Sequence, residues 1–120
     1  MTNKELIQKI YLEDGIRDSE TLEKYFHQDI VLEWTSSDGD LVLHKNDIIK
    51  ISKELFSNYS ASYIDITHLI EQDNQVVIRY NHKVATIENP DEIMLIAKFI
   101  VIWEFENGKI IKGYQISQPL

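Results

Sequence analysis

Few side chains in this chain could carry chemistry. It holds four histidines, six tyrosines and two tryptophans, and no cysteine. Without cysteine there are no disulfides, no thiolate metal ligands and no thiol nucleophile. The histidines, His27, His44, His68 and His82, include no H-x-x-x-H pair, so the spacing of a zinc site is missing. Asp38-Gly39-Asp40 reads as a turn, and no acidic EF-hand loop is present, so no metal is expected. The glycines, at 15, 39, 108 and 113, form neither a phosphate-cradling loop nor a nucleophile elbow. No cofactor is expected.

His82 is the best-placed titratable group. Alternation along 75–87 puts Val76, Ile78, Tyr80, His82 and Val84 on one face. Val77, Arg79, Asn81 and Lys83 share the other. The more apolar face should turn inward, and it carries an imidazole whose ordinary pKa is about 6.5. The plainer role is a core or rim histidine bonded to Tyr80 or Gln115. The sharper ones are orienting a ligand and acid–base catalysis. His27 reads as a solvated loop residue, and His44 as a cap or an exposed residue. His68 lies on a strand whose faces the pattern does not rank.

The elements that must position these groups fall in two parts. Thr2 with Glu5 forms a capping box ahead of Leu6, Ile7, Ile10 and Tyr11 at helical spacing. Asp14-Gly15 should end that helix through the left-handed conformation glycine takes cheaply. Asp18 can cap a second helix carrying Leu22, Tyr25 and Phe26. His27-Gln28-Asp29 then lead to a strand over 30–35, and 41–43 is a short strand. A third helix over 46–58 should bury Ile48, Ile51, Leu55 and Phe56. From Ser62 the period is two, with strands over 62–71, 75–87, 92–106 and 109–118. Asn107-Gly108 is the strongest hairpin signal. Three helices followed by an antiparallel meander predict an α+β fold of one domain, 1–120.

Twelve basic against twenty acidic residues give a net charge of −8 in 120 residues. That excess argues against nucleic acid and anionic membrane as partners. A hydrophobic content of 43% suffices for a core. Neither a signal peptide nor a membrane-spanning run is visible, so a soluble cytoplasmic protein is expected. Along 92–106, Leu95, Ala97, Phe99, Val101, Trp103 and Phe105 share one face, and Met94, Ile96, Ile100 and Ile102 lie opposite. Apolar residues on both faces require two covers. With helices on one side, the second cover is expected to be another copy of the chain, giving a homodimer. The alternative is a local overlay by a terminus.

Three stretches carry a resemblance: Tyr25 to Trp34 (YFHQDIVLEW), Ile70 to Tyr80 (IEQDNQVVIRY) and Val101 to Ile110 (VIWEFENGKI). In order and spacing the chain resembles the NTF2-like superfamily, in particular its small SnoaL-like and ketosteroid-isomerase-like members. The likeness covers almost the whole chain. It implies a cone in which a strongly bent sheet wraps the helices and leaves a pocket at the open end. It also implies dimers through the sheet's outer face. The fold hosts isomerases, cyclases, dehydratases, hydrolases and binding modules, so it does not give function.

The family's catalytic positions are mostly empty here. The carboxylate base of the isomerases falls on Trp34, and their second acid on Val101. Their tyrosine donor falls on Ile10, or on Tyr11 with a gap. The acid of SnoaL-type cyclases falls on Gln115, whose amide is neither acid nor base. Both chemistries are therefore disfavoured. Trp34, Phe56, Tyr80 and Trp103 are expected to point into the cone; with Tyr11, His82 and Gln115 they would line a site for a small apolar molecule. Two rival readings stay open. One is an enzyme of isomerase, cyclase or dehydratase type using His82 with Tyr80 or Gln115. The other is a protein-interaction module whose cone is filled.

Overall fold

In the computed structural model, which describes residues 1–120, three helices precede and interrupt a single six-stranded sheet. The helices are α1 (Asn3–Leu12), α2 (Ser19–Tyr25) and α3 (Lys45–Asn58), with a short 3₁₀ turn at Gly15–Arg17. The strands are β1 (Phe26–Ser36), β2 (Gly39–His44), β3 (Tyr59–Gln72), β4 (Gln75–Thr86), β5 (Ile93–Glu106) and β6 (Lys109–Pro119). They lie in the order β2-β1-β6-β5-β4-β3. The meander β3 to β6 is antiparallel as expected, and β6 then pairs in parallel with β1. That pairing makes β1 an interior strand, held between edge strand β2 and β6.

Local chemistry explains most element ends. Thr2 and Glu5 form the reciprocal capping box, with Thr2 Oγ1 accepting from the Glu5 amide at 3.1 Å. Asp18 caps α2 by accepting from the Glu20 amide. Asn107 (φ 52°) and Gly108 (φ 78°) make the tight β5–β6 turn. The end of α1 departs from expectation. Asp14, not Gly15, takes the left-handed conformation (φ 60°). Gly15 is required for closeness instead, since a Cβ there would sit 2.6 Å from the Ile10 carbonyl oxygen.

Two buried cations tie the helices to the sheet. Arg17 holds the Asp14 carboxylate with Nε and Nη2, and its Nη1 donates to the Tyr59 carbonyl at 3.0 Å. Lys45 Nζ donates to the carbonyls of Phe26 at 3.1 Å and Glu23 at 3.3 Å. These are the free carbonyls at the end of α2, where a cation is favoured.

The inner face of the sheet carries the core. Val76, Ile78, Tyr80, His82 and Val84 are buried on β4, as alternation predicts. On β5 the alternation breaks. His82 pairs with Ala97 and Lys83 with Leu95, so Ile96 is an extra residue between them. This bulge corrects the expected faces of 94–96, because one inserted residue reverses the parity that follows. Leu95 pairs with outward Lys83, Met94 with buried Val84, and Ile96 turns toward the interior.

Candidate functional site

A cavity of about 270 Å³ lies between α1, α3 and the inner face of the sheet. Twenty residues line it, seventeen of them hydrophobic, and none is an acid, lysine or arginine. The three polar ones are Ser52, His82 and Gln115. Helices α1 and α3 close one side with Ile7, Ile10, Ile48, Ile51 and Leu55, which recur at helical spacing.

Six of the seven side chains expected in the pocket border this cavity: Tyr11, Trp34, Tyr80, His82, Trp103 and Gln115. Phe56 does not. It is 64% exposed on the outer side of α3, under the guanidinium of Arg17 at 5.5 Å from the ring centroid. Leu55 and Phe56 are adjacent, and on a helix neighbours point about 100° apart, so only one can face inward.

The aromatic groups are fixed to one another. Tyr80 stacks on Phe99 at 5.0 Å with the planes 6° apart, and leans on Tyr11 at 4.8 Å. Trp103 Nε1 donates to the Tyr11 hydroxyl at 3.1 Å, and Trp34 Nε1 donates to Ser117 Oγ at 2.8 Å. Burial pushes the Tyr11 hydroxyl up to about 12, although bonds from Trp103 and Tyr80 pull the other way. Burial also holds Tyr80 well above its ordinary value, and a charge on Tyr11 would raise it further. Both phenols are neutral hydrogen-bonding groups across the physiological range.

His82 is 3% exposed. Its Nε2 lies 2.7 Å from Ser62 Oγ on β3, so its partner is neither Tyr80 nor Gln115 as expected. Burial lowers its pKa to about 4; Asp14 acts against that shift and Arg17 with it. The ring is neutral at pH 7 and a weak base. Ser52 Oγ is engaged with the Ile16 carbonyl at 2.8 Å. Gln115 and His82 Nδ1 are the polar groups of the cavity left without a protein partner, and neither is an orphan sealed away from open space.

The remaining histidines lie away from the cavity. His27 is in β1, not in a loop, and its Nδ1 accepts from the Asp29 amide at 3.0 Å. His44 is exposed ahead of α3, where its amide donates to Asp47. His68 is exposed beside Thr67 and pairs with outward Arg79. Sequence reasoning missed Ser62 and Phe99 as neighbours of His82. The Phe99 signal was present, since it shares the inward face of β5. Ser62 requires the β3–β4 register.

A bent sheet closed by helices around an apolar cavity defines an NTF2-like protein of α+β class. The sequence matches the SnoaL-like domain over residues 15–113, and the chain belongs to that family. No curated protein matches it. Among solved structures it is similar to IdmH, a candidate polyketide cyclase from Streptomyces antibioticus (TM-score 0.73, 13% identity, 97% of this chain and 92% of that one). It is also similar to AclR, a candidate hydroxylase from Streptomyces galilaeus (TM-score 0.73, 15% identity, 95% and 86%). An NTF2-like protein of unknown function from Burkholderia pseudomallei K96243 is a third (TM-score 0.67, 18% identity, 96% and 90%). At these identities the likeness establishes the fold.

Proposed function

We propose that this protein binds a small apolar ligand in the cone, and does so as a cytoplasmic homodimer. The observation that carries the reading is the cavity of about 270 Å³, walled by aromatic and aliphatic groups with no ionised side chain. That size is near the lower end of small-molecule sites. A filled cone, the basis of the interaction-module reading, does not suit an open space of that volume.

Relatives named for cyclisation raise an enzymatic reading, in which His82 serves as acid or base. A pKa of about 4 weakens it, because such an imidazole is a poor base at neutral pH. The positions of the family's acids hold Trp34, Val101 and Gln115, and none of them transfers a proton. Binding without turnover is the better-supported function.

The dimer rests on the outer face. There Ile70, Val77, Ile102 and Tyr114 follow one another across β3, β4, β5 and β6, and Ile100 pairs with Ile116 in the next row. Ion pairs flank them, Lys83–Asp65 at 2.7 Å and Lys112–Glu33 at 3.3 Å. An apolar centre with a charged rim suits a second copy of the same face. Native mass spectrometry of the protein as purified tests both parts at once. A dimer carrying a discrete extra mass is expected. A bare monomer would contradict both.

A further inference from the structure

The polar end of the cavity has a construction that the apolar lining does not explain. Ser62 and His82 sit on adjacent antiparallel strands, where Ser62 pairs with Val84 and His82 with Ile64. They are diagonal neighbours on the inward face, and Ser62 Oγ reaches His82 Nε2 at 2.7 Å. The other ring nitrogen, Nδ1, has no protein partner and is not sealed from open space. Phe99, 6.1 Å from the imidazole, separates it from Trp34.

A serine hydroxyl can donate or accept, and a neutral imidazole carries one proton on either nitrogen. When Ser62 donates to Nε2, the proton is on Nδ1 and the cavity meets a donor. When Ser62 accepts from Nε2–H, Nδ1 is a lone pair and the cavity meets an acceptor. Turning the hydroxyl together with shifting the ring proton from one nitrogen to the other thus converts the site, with no charge created. We propose that the Ser62–His82 pair is a reversible hydrogen-bonding subsite that lets the cavity take uncharged ring compounds bearing either a carbonyl or an N–H or O–H group. The proposal rests on the binding reading above and names the ligand class of that site. The change moves one proton between two nitrogens of a neutral ring, so no proton is gained or lost overall. Burial supports it, since it keeps the ring neutral down to a pH of about 4. The absence of any lysine or arginine from the lining leaves nothing to offset the charge of a carboxylate ligand.

Three bicyclic probes of similar shape separate the possibilities: indane, without a polar group; 1-indanone, an acceptor; and indole, a donor. Equilibrium dialysis gives affinities. Nitrogen-15 spectra of the wild-type protein identify which nitrogen of His82 is protonated. His82 is assigned as the histidine resonance absent from a His82→Gln spectrum. Indanone and indole should each bind about three- to tenfold more tightly than indane, the worth of one hydrogen bond. The His82 proton should be on Nδ1 with indanone and on Nε2 with indole. The same tautomer with both probes would overturn the proposal, as would equal affinity for all three. So would an affinity gain that disappears in Gln115→Leu while the His82 signals never move. Binding of indane without these differences leaves the cavity reading intact, whereas no binding of any probe removes both.

Discussion

The unfolded chain takes up a proton on His82 at its ordinary value of 6.5, and the folded chain only at about 4. Between those values the unfolded state holds more protons, so acid favours unfolding. The contribution is absent at neutral pH, grows as pH falls through that window, and levels off below pH 4 at about 3 kcal/mol. Urea denaturation at pH 7 and near pH 4 checks this. Wild type should lose more stability on acidification than His82→Gln, by an amount of that order. Equal losses would mean the imidazole is not buried as described. The phenol of Tyr11 acts with the opposite sense. Its folded value of about 12 exceeds the ordinary 10, so stability falls as pH rises between them.

Strand β6 places the site through a residue that has no side chain. Gly113 lies under the indole of Trp103, and a Cβ there would come within 2.8 Å of its Cε3 and 2.7 Å of Leu32 Cδ1. Gly113→Ala should push Trp103 off the strand and strain its bond to Tyr11. A loss of about 1–3 kcal/mol is expected, the cost of overpacking a core, together with a shift in tryptophan emission. An unchanged unfolding midpoint would show that the indole has room to spare. How far the elements could be read from residues depends on the range of the cause. Asn107-Gly108 and Thr2 with Glu5 act within four residues, and both gave the right boundary. The bulge at Ile96 has no local signature in an apolar run, so the faces of 94–96 came out wrong. Phe56 was misplaced because two adjacent apolar residues satisfy the same helical pattern. Ser62 could not be linked to His82 without a register between strands, and β3 itself carries a bulge between Ile66 and His68. The six other pocket residues followed from inward faces together with the fold resemblance.

Taken whole, the molecule sets an apolar interior cavity on one side of the sheet against an exposed apolar stripe on the other. Ile102 is 37% and Ile116 59% exposed in the single chain. If a second copy covers them, Ile102→Glu should give a folded monomer by light scattering after gel filtration, because it buries an unpaired charge at the interface. A dimer of unchanged stability would place the interface elsewhere. The chain reports on its cavity directly, since both of its tryptophans, Trp34 and Trp103, line that space. The decisive measurement is tryptophan fluorescence as indane is titrated in. A saturable change fitting one site per chain is expected, with a matching rise in the unfolding temperature. Emission that does not change up to the solubility limit of indane would rule out an apolar binding cavity.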